Sequence, residues 1–303
     1  MLVRSPAGCN DVSRNQRIMR ILVTGGSSPL AVGVLRQLLL NADLQLWCGR
    51  HLREIPLAHP RLQVIDLDLA SDLSGSLSSA QFDLVIHFAG VTHADDERQY
   101  WNINVEGTAR LVEATRKNGC RRFVYISTRC ATHGSGAYGE SKLAAEQELQ
   151  KLDWKSLLII RPAEIYGSES NEGIDRMLTI ARRWRITPAL FGHSRLSFAP
   201  MHLDDFTTLT AELIQLHRDG IRIENVCGPE DLNGLALAYR ISRRYRAVPL
   251  PLWWPALAVS LKALRKIGFA IVKPDQLTRL TSEKTATAAS ANYSAEAARL
   301  FLS

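Results

Sequence analysis

Tyr138-Gly139-Glu140-Ser141-Lys142 sets a phenol and an amine four residues apart. On a helix such a pair shares one face. A free tyrosine has a pKa of about 10 and is a poor base at neutral pH. A lysine ammonium and an oxidised nicotinamide ring beside it would both stabilise the phenolate. Tyr138 would then take or give a proton while hydride moves to or from the ring.

Hydride chemistry of this kind needs a dinucleotide, and a turn near the N-terminus suits one. An apolar run ends in Thr24-Gly25-Gly26-Ser27-Ser28-Pro29-Leu30-Ala31, and a helical pattern follows. Gly25 suits a tight turn, and a helix N-terminus just after it attracts pyrophosphate. Pro29 fits a first helical turn, with Ser28 as its N-cap. Ser28 stands where a middle glycine is expected; its Cβ would crowd a phosphate, or its hydroxyl would donate to one. The second apolar run ends in Cys48-Gly49-Arg50. NAD sites usually carry an acid here for the ribose hydroxyls. Gly49 removes the acid, and the Arg50 guanidinium fits a 2′-phosphate; an ordinary solvated charge is the alternative. Asp66-Leu67 is expected either to meet the adenine ring or to be a solvated loop. The cofactor expected is therefore NADP(H), with NAD(H) possible.

Elements must hold these groups. Short apolar runs at Arg20–Thr24, Leu44–Cys48, Leu62–Ile65, Asp83–Phe88, Arg122–Ile126 and Ser156–Ile160 read as buried strands. Amphipathic segments at Leu30–Asn41, Tyr100–Asn118 and Tyr138–Leu152 alternate with them. That order predicts an α/β doubly wound Rossmann-type parallel sheet over residues 19–167. Helical patterns at Ile174–Trp184 and Asp204–Leu216 and a strand at Ile221–Val226 follow, and from Gly228 the chain reads as mostly helical. Residues 196–227 are expected to return to the dinucleotide domain. Residues 168–195 and 228–303 are expected to form a smaller substrate lobe.

With these residues in view, the chain resembles the extended short-chain dehydrogenase/reductase family, the NAD(P)-dependent epimerase/dehydratase group acting largely on nucleotide sugars. The resemblance rests on ILVTGGSSPLA, DLVIHFAG, NVEGT, FVYIST, YGESK, RPAEIYG, FAPMHLDDF and NVCGPED. It implies that His87, Phe88, Ala89 and Gly90 line the dinucleotide. It implies that Asn104 buttresses the active-site helix or a relay water, that Thr128 bonds the reacting oxygen beside Tyr138, and that Lys142 also holds the nicotinamide ribose. Pro162 and Ala163 would shape the nicotinamide pocket. Plain structural roles remain open: a strand cap for Thr128, a helix amide for Asn104, solvated loop histidines at His93 and His133, and a helix N-terminus at Asp204.

Two departures bear on substrate. The interval from Thr128 to Tyr138 is shorter than the family's usual substrate-facing loop. Thr128-Arg129-Cys130 stands where the 4,6-dehydratase branch has Thr-Asp-Glu, so that branch is not expected. The resemblance leaves a nucleotide-sugar 4-ketoreductase or epimerase. A reductase of a sterol-like alcohol and a non-catalytic dinucleotide-binding sensor or scaffold stay open.

The chain has 303 residues, 46% hydrophobic and 22% charged, with a net charge of +7. This composition suits a globular chain with a sizeable core. The basic residues form no aromatic-interleaved motif, so no nucleic-acid partner is expected. The five cysteines fall at no metal-ligand spacing, so reduced thiols, a cytoplasmic setting and no metal are expected. Residues 1–18 read as an unstructured leader, with Met19 as a possible true start. Residues 250–272 read as a lobe helix, with peripheral membrane contact as the alternative. The resemblance implies a homodimer, paired through the helices carrying Asn104 and Tyr138.

Overall fold

The computed structural model describes residues 18–77, 81–168, 170, 172–266 and 274–285. The expected leader therefore falls, but for Ile18, outside the described residues. So does the end of the 250–272 segment.

The chain runs through β1 (Met19–Thr24), α1 (Pro29–Leu38), β2 (Leu44–Arg50), β3 (Leu62–Asp66), α2 (Ser74–Leu77) and β4 (Leu84–His87). Next come α3 (Arg98–Tyr100), a π-helical stretch (Trp101–Gly107) and α4 (Thr108–Lys117), which together form one helical rod. Then follow β5 (Arg122–Ile126), α5 (Ala137–Gln150), β6 (Ser156–Pro162), β7 (Ile165–Tyr166), α6 (Gly173–Trp184), β8 (Ile186–Phe191), β9 (Ser197–Phe198), β10 (Met201–His202), α7 (Leu203–Leu216) and β11 (Gly220–Val226). The described chain ends with β12 (Leu232–Asn233), α8 (Gly234–Tyr245), β13 (Val248–Trp253), α9 (Trp254–Lys266) and α10 (Pro274–Thr281).

Seven strands form one parallel sheet in the order β11-β6-β5-β4-β1-β2-β3. Strand order reverses between β1 and β4, and ligands of open α/β sheets bind in the crevice at such a point. Alternation along the strands builds a core on each face. Ile21, Val23, Ile86 and Val124 pack with Leu35 of α1 and Phe206 of α7. Leu22, Val85, Phe123 and Leu157 pack with Leu111 of α4 and Leu149 of α5. A third cluster, around Ile174, Phe198, Leu237 and Trp254, is the core of the region beyond the sheet.

Three expectations need correction. β3 is a sheet edge and mostly exposed, not buried on both faces. The rod is not a plain α-helix, because its π-helical stretch inserts a wider turn. Residues 248–253 are a strand, not part of a helix: Pro249 and Pro251 have no N–H to give a helix, and the segment pairs with β8 instead.

Candidate active site

The turn after β1 is shaped by close approach. Gly25 has φ +70, and a Cβ there would lie 2.5 Å from Ala89 N. Only glycine is at ease in both respects. Ala89 N in turn donates to Thr24 Oγ1 at 3.2 Å, so the β1 and β4 turns are tied across the crevice. Ser28 caps α1: its Oγ accepts from Ala31 N at 3.2 Å, and Pro29 follows at the first helical position. The accepting hydroxyl keeps its own proton free to donate. Leu30 is half-buried against the core. Gly33 meets α7, where a Cβ would strike Thr207 Cγ2 at 2.2 Å. The turn thus offers an anion cradle at a helix N-terminus, and its shape and donors fit a pyrophosphate.

At the far end of β2, Arg50 is engaged. Its Nε donates to Asp66 Oδ1 at 2.9 Å and its Nη1 to Glu54 Oε1 at 2.9 Å. Leu67 N donates to Arg50 O at 2.7 Å, and the Leu67 side chain presses on Gly49, where a Cβ would lie 2.9 Å from it. Gly49 therefore has a packing reason apart from any ribose.

Beneath the crevice runs a buried chain of polar groups. Thr24 Oγ1 lies 2.6 Å from His87 Nδ1, His87 Nε2 lies 3.0 Å from Thr108 Oγ1, and Thr108 donates to Asn104 O at 2.7 Å. Thr108's proton is committed to Asn104 O, so His87 donates from Nε2 and accepts at Nδ1 from Thr24. Burial, and secondarily the Lys142 charge, holds the His87 pKa down to about 3. Asn104, in the π-helical stretch, accepts from Val91 N (2.8 Å) and donates to Val91 O and Ser141 Oγ (both 3.0 Å). Asn104 thereby fastens the segment after β4 to α5, and a side chain on Gly90 would strike its Oδ1.

Tyr138, Lys142 and Thr128 come together at the C-terminal end of β5. Thr128 lies beside the Tyr138 side chain and accepts from Cys130 N at 3.2 Å. Burial raises the Tyr138 pKa to about 12, with the Arg279 charge opposing. Lys142 is buried; its Nζ donates to Ile126 O at 2.7 Å and lies 4.1 Å from the Tyr125 ring centroid. Burial brings its pKa down to about 7, with Glu146 opposing. Glu146 is itself fully buried and ion-paired to Arg161 of β6. Pro162 ends β6, where its carbonyl accepts from Arg129 N, and Ala163 N donates to Val226 O, both at 2.9 Å.

The short loop between Thr128 and Tyr138 folds under the first turn of α5. A Cβ on Gly139 would lie 2.2 Å from Cys130 O and 2.1 Å from Ser135 Oγ. Arg129 turns inward to Glu164 (3.4 Å) and Asp231 (3.2 Å), and Glu164 also pairs with Lys284 at 3.3 Å. Asp204 lies in the first turn of α7, and His202 caps that helix, accepting from Asp204 N at 3.3 Å. His93 lies 3.5 Å from Glu172, and His133 is exposed.

Sequence reading missed α10 at this site. The N-cap of α5 is Gly136, at φ +90 and without a side chain. Asp275 of α10 supplies the missing acceptor, taking Tyr138 N at 3.1 Å, and a Cβ on Gly136 would lie 2.6 Å from that oxygen. Arg279 pairs with Asp275 at 2.8 Å, donates to Thr92 O at 3.0 Å and covers the Tyr138 ring. Gly134-Ser135-Gly136 was the only local hint, since two glycines before a helix leave its first turn uncapped.

Comparison with known proteins agrees with this geometry. The model of the NAD dependent epimerase/dehydratase family matches residues 21–226. A ceramide reductase of Caulobacter vibrioides is 28% identical over 191 residues, covering 61% of this chain and 57% of that protein. A 3-beta-hydroxysteroid dehydrogenase of Mycolicibacterium neoaurum is 27% identical over 176 residues, covering 49% and 48%. The chain thus spans about half the length of the curated relatives it matches. The crystal structure of the Bordetella bronchiseptica enzyme WbmG in complex with NAD and UDP superposes with a TM-score of 0.67 at 20% identity, covering 80% of this chain and 82% of that one.

Proposed function

The chain belongs to the NAD dependent epimerase/dehydratase family, and on that premise we propose that it interconverts a carbonyl and a hydroxyl group of a nucleotide sugar, as a 4-ketoreductase or epimerase. The observation that carries this reading is the placement of Tyr138 beside Thr128 and one helical turn from buried Lys142, in a sheet whose strand order reverses between β1 and β4. A nicotinamide dinucleotide, when bound, supplies the hydride acceptor or donor. Gly25, Ser28, Pro29 and Leu30 would hold its pyrophosphate; Phe88, Ala89 and Gly90 its middle; Pro162 and Ala163 its nicotinamide end. Arg50, Asp66 and Leu67 would face its adenosine.

Tyr138 is the proton carrier. Its phenol, protonated at neutral pH, donates to the oxygen of a carbonyl under reduction and takes the proton back in the reverse sense. Thr128 steers that oxygen and shares its charge. Lys142 has a pKa near neutrality, so it accepts and releases a proton without a large free-energy change. Asn104 positions α5 rather than touching substrate.

NADP(H) is the proposed preference, on Gly49 and Arg50. The two carboxylates on Arg50 oppose it, and the solved relative named above carries NAD. We further propose a homodimer, with a second copy of the chain against the apolar groove of about 510 Å³ between α4 and α5, lined by Val105, Ala109, Val112, Ala145, Leu149 and Leu152. Residues 19–167 with 196–227 are the proposed dinucleotide domain, and a cytoplasmic setting is proposed with it.

A second reading, a lipid-like alcohol as substrate, is favoured by the curated relatives, a ceramide reductase and a steroid dehydrogenase. Mass spectrometry of ligands that copurify with the chain separates the two. Tyr138→Phe should keep dinucleotide binding and lose most turnover with the substrate so found. Wild-type kcat in that variant would remove Tyr138 from the chemistry. Dinucleotide binding with no turnover on sugar or lipid carbonyls would favour a sensor or scaffold.

A further inference from the structure

Positive charge is unevenly placed in this chain. Residues 176–203 and 232–274 contain no aspartate or glutamate, yet hold thirteen of the 37 lysines and arginines. The net charge is +7 against 30 acids, so these two stretches carry more than the whole surplus. The described residues of both lie outside the seven-stranded sheet.

The fold joins them. α6 ends in Arg182-Arg183-Trp184 and α8 in Arg243-Arg244-Tyr245, and each helix is closed by a left-handed arginine, Arg185 at φ 54 and Arg246 at φ 50. Glycine would adopt that conformation at less cost. The two ends are stitched together: Arg185 Nη1 donates to Tyr245 O, and Val248 N donates to Arg185 O at 2.8 Å. From this joint β8 and β13 run side by side in parallel, with Val248 opposite Ile186 and Leu250 opposite Pro188.

Register partners share a face of a sheet, and alternate residues along a strand do too. Thr187 and Ala189 are buried, so on β8 their face packs inward, while their partners Pro249 and Pro251 on β13 are exposed. Ile186, Pro188, Val248 and Leu250 occupy the opposite face. Val248 is 66% exposed and Leu250 49%. Trp184, two residues before Ile186, is exposed as well. An apolar, aromatic-edged strip thus begins at a cluster of exposed arginines.

We propose that this face, the ends of α6 and α8 with the β8/β13 ribbon, docks on the surface of an anionic lipid bilayer. A bilayer interface takes both halves of the patch: headgroups pair with the arginines, and the boundary layer accepts tryptophan and aliphatic side chains. Nucleic acid would satisfy the arginines but leave Val248, Leu250 and Ile186 without a partner. A second copy would set this arginine-rich face against an equally cationic one or require an acidic face elsewhere. Docking here is peripheral, since among the described residues no helix is long and apolar enough to cross a membrane. The proposal rests on neither the cofactor nor the substrate reading.

Flotation of the full chain with vesicles tests it. Wild-type protein should float with vesicles of about one-third phosphatidylglycerol in phosphatidylcholine, not with phosphatidylcholine alone, and high salt should release it. Replacing three arginines together, Arg182→Gln, Arg183→Gln and Arg243→Gln, should weaken binding roughly a hundredfold. Val248→Ser with Leu250→Ser should also weaken it, and should reduce the blue shift of tryptophan emission on binding. Unchanged melting curves in both variants would tie the losses to the surface and support the proposal. Failure of wild-type protein to float at low salt overturns it, whether or not the variants fold. So does wild-type binding by the arginine variant, tighter binding to a DNA oligonucleotide than to the vesicles, or a self-association in the ultracentrifuge that the arginine variant abolishes while vesicle binding is absent.

Discussion

The guanidinium of Arg279 lies 4.5 Å from the ring centroid of Tyr138, and the carboxylate paired with that guanidinium caps the helix on which Tyr138 sits. One side chain pair on α10 therefore fixes both the charge beside the phenol and the first turn of α5. Removing the cap by Asp275→Ala should cost about 1 kcal/mol, a usual figure for a lost N-cap. Arg279→Gln should instead raise the pH at which Tyr138 titrates, because the cation next to the ring favours phenolate. Arg279→Lys should restore most of the effect. 3-Fluorotyrosine incorporated at position 138 gives a fluorine resonance that reports this titration directly. An unchanged midpoint in Arg279→Gln would reduce Arg279 to a packing role.

Lys142 makes folding depend on pH. Burial takes its pKa from an ordinary 10.5 down to about 7. Between those values the unfolded chain binds a proton that the folded chain does not, so this group lets stability rise with pH across that window. Below about 7 the full cost of burying the ammonium is present, offset by its bonds to Ile126 O and Tyr125. Lys142→Met should accordingly stabilise the cofactor-free chain near pH 6, on the order of a few kcal/mol, and much less near pH 10. Urea melts at the two pH values measure the difference. A gain that does not change with pH would place the lysine charge outside the folding balance.

The sheet and the shared helix face of Tyr138 and Lys142 were legible because they rest on local signals, whereas Thr128 entered only through the family resemblance. Runs such as Leu84–Ile86 and Phe123–Ile126 carry no charged residue, as strands covered on both sides must, and Tyr138 and Lys142 are one helical turn apart. What stayed hidden depends on distant partners. Arg279 and Asp275 lie on a short helix whose sequence, DQLTR, looks like any solvated turn. β13 has prolines and aliphatics in alternation, which satisfies neither a helical nor an ordinary strand pattern until β8 lies beside it. The π-helical turn that aims Asn104 has no compositional mark. Gly33 and Gly139 are glycines for lack of room, a property of the packed chain alone.

Glycine at the first turn offers a test of clash against conformation. Gly25 and Gly134 have almost the same φ, +70 and +72, but a Cβ on Gly25 meets Ala89 while one on Gly134 meets nothing within 4 Å. Gly134→Ala should therefore cost only the left-handed backbone term, roughly 1–2 kcal/mol. Gly25→Ala should cost more and should also weaken NADH binding, since β1 and β4 must part to admit the methyl group. Urea denaturation and quenching of tryptophan emission by NADH measure the two effects. Equal losses of stability, with NADH binding intact in both variants, would mean that the crevice yields easily at Ala89.

Cofactor preference turns on what holds Arg50. Asp66 is its register partner across β2 and β3, whereas Glu54 reaches it from four residues along a loop and is 83% exposed. A 2′-phosphate brings charge enough to displace the exposed carboxylate, but Glu54 competes for the same guanidinium. Glu54→Gln should therefore tighten NADPH several-fold and leave NADH almost unchanged. Arg50→Ala should weaken NADPH by roughly tenfold or more, the scale of one charge-assisted contact, with a far smaller effect on NADH. Fluorescence titration of both reduced cofactors against wild type and the two variants reads these ratios. If wild type binds NADH as tightly as NADPH and Glu54→Gln changes neither, then Arg50 serves to clip the ends of β2 and β3 together. The weight would then move from a reductase that draws on NADPH to an epimerase that retains NAD.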